Sequence, residues 1–221
     1  MRRIQEERLK DCWGLGVVRV KICGITNLAD ASAAEDAGAD ALGFVFADSP
    51  RRVSVLQAER ITRSLGPWIA KVGVFVNRSP AAIERVMKRC GLDIVQLHGD
   101  EGPETARALR AKGYRVVKAL RVDAALDVKA CKAYPADAFL LDTALPGIYG
   151  GTGKKFDWKL LRKGLLSKPV IVSGGLRPGN VGRLLRDYTP YGVDVSSGVE
   201  VRPGKKDARS VRVFIQNVKA R

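Results

Sequence analysis

The sequence holds one histidine, His98, and four cysteines, Cys12, Cys23, Cys90 and Cys131, with no CxxC pair among them. A zinc site draws three or four closely spaced Cys, His or carboxylate ligands, so the expectation is that no metal is bound. A chain of 221 residues can bury its own core, so the cysteines are not needed as an extracellular disulfide framework. Aromatic residues make up 6% and do not interleave with a basic stretch, so no stacking platform for single-stranded nucleic acid is offered. No apolar run approaches the ~20 residues of a membrane helix. Periodic glycine, sustained heptads and blocks of like charge are also missing, which excludes collagen-like, coiled-coil and charged-tail architectures. The stretch from Cys12 to Val18 follows Glu6, Glu7 and Asp11 and is too short for a secretory signal. The expectation is a soluble, cytoplasmic protein with reduced thiols.

What is present has globular proportions: 46% hydrophobic and 28% charged residues, 23 Gly and 10 Pro, enough for one domain with a sizeable core. The charge is less ordinary, 39 Lys and Arg against 23 Asp and Glu, a net of +16. Such a field attracts nucleic acid, anionic membranes and phosphorylated metabolites alike. The basic residues are scattered from Arg2 to Arg221, singly or in pairs, which reads as a solvated basic surface without a specific nucleic-acid or membrane partner.

Short runs rich in Val, Ile and Phe alternate along the chain with longer segments of helical composition. The runs predict strands at Val18–Cys23, Ala41–Phe46, Lys71–Val76, Ile94–His98, Val116–Arg121, Ala138–Asp142, Val170–Ser173 and Gly192–Ser196. Helices are expected at Asn27–Ala37, Val55–Leu65, Pro80–Cys90, Glu101–Lys112, Ala124–Ala133, Asp157–Lys163, Pro178–Tyr188 and Asp207–Val218. Parallel strands need crossovers, so repeated βα units leave an open doubly wound sheet or a closed (β/α)8 barrel. Eight units, with no GxGxxG after the first strand, favour the barrel. The fold class is therefore α/β, a single (β/α)8 TIM barrel over residues 19–221, preceded by an N-terminal extension, residues 1–18, expected to be dispensable for chemistry.

Barrel geometry concentrates function where strands end and βα loops begin. Cys23 ends the first strand, and the period of two puts Lys21 on its face, where an ammonium would favour the thiolate and make Cys23 a usable base or nucleophile. Asp142 ends an apolar strand, where an isolated charge is costly unless it faces the mouth or a partner, so it is a candidate general acid or base. Asp194 has the same placement on the eighth strand. His98 ends the fourth strand and reads as wall or substrate contact. Ser173-Gly174-Gly175 and Ser196-Ser197-Gly198 follow the last two strands, where small residues let backbone N–H groups approach a phosphate.

In order along the chain stand VKICGIT (Val20–Thr26), GFVF (Gly43–Phe46), VQLHG (Val95–Gly99), LDT (Leu141–Thr143), GGTGK (Gly150–Lys154), SGGL (Ser173–Leu176) and DVSSGVE (Asp194–Glu200). From about Arg19 onward the chain closely resembles the phosphoribosylanthranilate isomerase family of tryptophan biosynthesis. The resemblance implies an Amadori rearrangement of N-(5-phosphoribosyl)anthranilate to 1-(2-carboxyphenylamino)-1-deoxyribulose 5-phosphate, with no cofactor. It further implies Asp142 as the general acid that opens the ring and Cys23 as the general base at C2. Arg52 would lie near the anthranilate moiety, Asp194 would orient the substrate with Lys21 and His98 nearby, and Gly174, Gly175, Ser196, Ser197 and Gly198 would cradle the phosphate. The only partner implied is the small-molecule substrate, acted on by a monomer or homodimer.

Overall fold

A parallel strand buried on both faces reads as a near-continuous apolar run, and each of the eight runs forms a strand in the computed structural model, which describes residues 17–122, 128–143 and 168–220. The strands are β1 (Arg19–Cys23), β2 (Ala41–Val45), β3 (Ala70–Phe75), β4 (Ile94–Leu97), β5 (Arg115–Val122), β6 (Ala138–Thr143), β7 (Val170–Val172) and β8 (Gly192–Val195). They pair in sequence order, and β8 closes on β1 through Arg19↔Gly192 to Ile22↔Val195, completing a (β/α)8-type barrel. Observed strand ends lie within a residue of those expected, because the breakers that bound each run also bound the pairing.

The described helices are α1 (Leu28–Asp36), α2 (Val55–Thr62), α3 (Pro80–Cys90), α4 (Pro103–Ala111), α5 (Val128–Ala133), α6 (Pro178–Asp187) and α7 (Ala208–Lys219). Their starts follow local chemistry: Asn27, Ser54, Ser79 and Asp207 accept backbone N–H groups at N-caps, and Pro80, Pro103 and Pro178 occupy first-turn positions. The helix expected at Asp157–Lys163, the first residues of the one expected at Ala124–Ala133, the GGTGK motif and residues 1–16 lie outside the described residues.

Alternate strand residues divide the interior in two. Val20, Ile22, Leu42, Phe44, Val95, Leu97, Leu141, Val172, Val193 and Val195 pack with helix residues such as Ala31, Leu109, Leu184 and Phe214 in the layer between strands and helices. Val117, Ala119, Ala138 and Leu140, with Ile94 and Ile171, form a separate inner cluster. The same parity turns Lys21, Cys23, Gln96, His98, Asp142, Ser173, Asp194 and Ser196 toward the barrel axis. Two elements after β8 were not expected: a 3-10 turn at Ser197–Val199, and an antiparallel hairpin of β9 (Glu200–Arg202) and β10 (Lys205–Lys206). Strands of three and two residues carry no alternation to read, although the Pro203-Gly204 turn signal between them was visible.

Candidate active site

Cys23 and Asp194 come together because β1 and β8 are neighbours, with Lys21 registered opposite Asp194. Lys21 Nζ donates to Asp194 Oδ1 at 2.9 Å, both side chains buried, and Ser173 Oγ lies 3.4 Å from Asp194 Oδ2. Burial works against the Lys21 ammonium, but the Asp194 carboxylate and the adjacent Cys23 sulfur outweigh it and raise its pKa. Lys21 is thus a fixed cation beneath the mouth.

Lys21 does favour the Cys23 thiolate, through its charge and a hydrogen bond, but burial outweighs it. Burial raises the thiol pKa, and the attraction of Lys21 and Lys206, opposed by Asp194, does not reverse it. Cys90 and Cys131 are also buried and in no disulfide, but both belong to the packing layers outside the barrel's inner face.

Three strand steps away, through β8 and β7 to β6, Asp142 is 4% exposed with Oδ2 3.3 Å from His98 Nε2. Gln96, two residues before His98 on the same face and 1% exposed, places its Nε2 2.9 Å from His98 Nδ1. With the amide donating to Nδ1, the neutral ring carries its proton on Nε2, facing Asp142. His98 therefore supports the carboxylate as well as lining the wall. Sequence reasoning missed Gln96, although an amide inside an apolar strand was a signal that could have found it.

The loops after β7 and β8 meet. Gly175 has φ +64, in the left-handed region, and its carbonyl accepts from Asn180 Nδ2 at 2.8 Å, while Asn180 Oδ1 accepts from Arg177 N at the start of α6. A Cβ on Gly198 would sit 1.8 Å from the Leu176 carbonyl oxygen, so only glycine lets these loops approach. Ser196 Oγ is buried with no hydrogen-bond partner among the described residues, an orphan in need of one. The N-terminus of α6, the 3-10 turn beginning at Ser197 and this hydroxyl make a cradle suited to an anion.

Of the two arginines after β2, Arg51 is held by Glu200, through Nε at 2.9 Å and Nη2 at 2.7 Å, while Arg52 is exposed. The pair thus divides into an anchored arginine and one free to meet a ligand. Sequence reasoning named Arg52 as a candidate and did not foresee the Arg51–Glu200 clamp. Among the described residues, no three or more His, Cys, Asp or Glu side chains are grouped so as to hold a metal ion, and no helix is long and apolar enough to cross a membrane.

Comparison with known proteins adds to this geometry. The family model described as N-(5'phosphoribosyl)anthranilate (PRA) isomerase matches residues 20–217. The N-(5'-phosphoribosyl)anthranilate isomerase of Geobacter sulfurreducens is 50% identical over 204 residues, covering 92% of this chain and 99% of that protein. The crystal structure of the phosphoribosyl anthranilate isomerase of Thermotoga maritima superposes with a TM-score of 0.85 at 43% identity, covering 92% of this chain and all (100%) of the other. A further crystal structure of such an isomerase, in complex with reduced 1-(o-carboxyphenylamino)-1-deoxyribulose 5-phosphate, has a TM-score of 0.82 at 42% identity, covering 92% and 100% of the two chains. An eight-stranded barrel with these side chains at its strand ends, matched by the family model over nearly all of its length, belongs to the N-(5'-phosphoribosyl)anthranilate isomerase family.

Proposed function

We propose that this chain isomerises N-(5-phosphoribosyl)anthranilate to 1-(2-carboxyphenylamino)-1-deoxyribulose 5-phosphate by an Amadori rearrangement, in the cytoplasm, as a monomer or homodimer. The observation that carries the reading is the pair of proton-transfer groups at separate points of one mouth: Cys23 beside the Lys21–Asp194 pair, and Asp142 against His98.

Asp142, in its acid form, gives a proton to the furanose ring oxygen as the bond from that oxygen to C1 breaks, leaving a Schiff base whose nitrogen is cationic. The Cys23 thiolate removes the proton from C2, and the electron pair of that C–H bond forms a C1–C2 double bond while neutralising the nitrogen. The resulting enolamine gains a proton at C1 and loses one from the C2 hydroxyl, giving the ketone. Those two transfers return the proton held by Cys23 and restore the one given by Asp142. C1 is reduced and C2 oxidised within one molecule, so no external electron carrier enters the balance. A proton next to an iminium is acidic enough for a modest base. The cationic nitrogen also offsets the burial that holds the Cys23 pKa up.

Ser196 Oγ and the cradle of Gly174, Gly175, Ser197 and Gly198 suit the substrate phosphate, and exposed Arg52 suits the anthranilate carboxylate. Asp194, held by Lys21, has an oxygen facing Ser173 and is suited to orienting a ribose hydroxyl. Residues 1–18 are assigned no part in this chemistry.

The test is conversion of freshly prepared phosphoribosylanthranilate by the purified chain, followed by anthranilate fluorescence, with the product identified by mass and NMR. Production of the aminoketose phosphate supports the reading; no conversion beyond spontaneous hydrolysis overturns it.

A further inference from the structure

The hairpin β9–β10 has no part in the scheme above, yet its side chains reach the strand ends that carry the site. Lys206 is 3% exposed, and its Nζ donates to the Cys23 carbonyl oxygen at 2.5 Å, to Glu200 Oε1 at 2.8 Å and to the Ser196 carbonyl oxygen at 3.3 Å. Three donors thus meet three acceptors, one at the end of β1, one at the entry to the 3-10 turn and one on β9. Glu200 is also the carboxylate that Arg51 clamps. The hairpin is latched to the β1–α1 connection and the first turn of α1: Asp30 accepts from Lys206 N at 2.7 Å and pairs with Lys205, and Thr26 Oγ1 donates to the Gly204 carbonyl at 2.5 Å.

A buried ammonium is expensive, and burial pulls the Lys206 pKa down even with Glu200 beside it. An apolar side chain of similar length would fill the same space without that cost. What an apolar chain lacks is the junction of three acceptors and the charge beneath the Cys23 peptide.

We propose that Lys206 is a positioning residue for Cys23, its ammonium tying the end of β1 to the phosphate-side loop through Glu200 and adding to the positive field that Lys21 supplies at the sulfur. The proposal rests on Cys23 as the base, but its main readout needs only the thiol. The charged groups facing Cys23 are Lys21 on its own strand, Asp194 on β8 and Lys206 on β10. Both ammoniums, Lys21 paired with Asp194 and Lys206 paired with Glu200, favour the thiolate against its burial, so the sulfur should feel the removal of either. Lys206 itself faces Glu200 and Arg51, with Asp30 and Lys205 at its backbone.

The experiment compares Lys206→Gln, Lys206→Arg and Glu200→Gln with the wild-type chain. It reads the pH dependence of Cys23 alkylation by iodoacetamide, mapped by peptide mass, together with kcat and KM. For Lys206→Gln, kcat should fall about 10- to 100-fold, as a small misplacement of a reacting group does. KM should stay within about three-fold, and the alkylation midpoint should move to higher pH. Lys206→Arg keeps the charge and should restore most of kcat and the wild-type midpoint. Glu200→Gln strips the buried ammonium of its carboxylate and drives it toward the neutral amine, so its midpoint should also rise; it carries the test if Lys206→Gln does not fold. A folded Lys206→Gln or Glu200→Gln with the wild-type midpoint overturns the proposal, even if kcat falls, because a merely structural loss would leave the thiol titration in place. Shifted midpoints in a protein with no isomerase activity would support Lys206 and sink the assignment of function.

Discussion

At the scale of the residue, the environment of each thiol decides its chemistry more than its identity does. Cys90 donates from its sulfur to the Val55 carbonyl and packs under α2, and Cys131 packs with Ala136 and Phe139, so neither reaches the barrel axis. Cys90→Ser and Cys131→Ser should each leave kcat within about three-fold, since neither removes a group that moves a proton in the reaction. Steady-state kinetics checks this, and a hundred-fold loss from either would put the base elsewhere. His98→Asn keeps a polar side chain but removes the Nε2 that faces Asp142, and should lower kcat by about 10- to 100-fold with a smaller effect on KM. Cys23, Asp142, Asp194 and His98 were legible because a βα barrel predicts where strand ends converge. The direction of the Cys23 pKa was not, because the sequence shows Lys21 next to it but not the burial that outweighs that charge.

At the scale of the element, the loops after β7 and β8 depend on glycine for two different reasons. Gly175→Val would place a β-branched residue at φ +64, and Gly198→Ala would drive a methyl into the Leu176 carbonyl. Both changes should raise KM for the phosphorylated substrate by about ten-fold or more with a smaller change in kcat, as expected when binding common to ground and transition states is lost. Isothermal titration with the reduced product analogue checks the loss of affinity directly; unchanged affinity would place the phosphate elsewhere.

The hairpin makes a second element-scale prediction. Glu200 is partly desolvated, which opposes its charge, but hydrogen bonds and attraction from Arg51 and Lys206 prevail and hold its pKa below the ordinary value of 4.5. Asp30 is depressed in the same way, its burial outweighed by Lys205 and the Lys206 N–H. A depressed carboxylate contributes stability above its unfolded pKa and loses it as pH falls through the folded one, so stability should decline below about pH 4.5. Glu200→Gln should lower Tm at pH 7 and flatten that acid decline, measured by thermal unfolding between pH 3 and 7. A decline as steep in the variant as in the wild type would remove Glu200 from the account. Apart from its Pro203-Gly204 turn, the sequence pattern did not mark this hairpin, since long-range pairs such as Asp30–Lys205 and Arg51–Glu200 exist only once the barrel closes β8 onto β1.

At the scale of the whole molecule, the repeat of eight βα units was readable because the eight barrel strands are apolar runs that pair in parallel in sequence order. Register and closure came from physics that leaves no local mark. The net charge of +16 belongs to this scale too. A substrate carrying a phosphate and a carboxylate should be drawn to such a surface, so kcat/KM should fall as ionic strength rises from 10 to about 300 mM while kcat barely changes. Stopped-flow or initial-rate measurements in a salt series check it; a flat kcat/KM would mean that the basic surface does not steer the substrate.

The central claim is that two proton-transfer groups at separate points of the mouth, Cys23 and Asp142, carry the isomerisation. The most direct measurement is turnover of phosphoribosylanthranilate by Cys23→Ala and Asp142→Asn beside the wild type, with binding of the reduced product analogue measured on the same samples. The account predicts kcat lower by about a hundred-fold or more in each variant, with affinity for the analogue within about ten-fold of wild type. Near-normal turnover in either variant would contradict it.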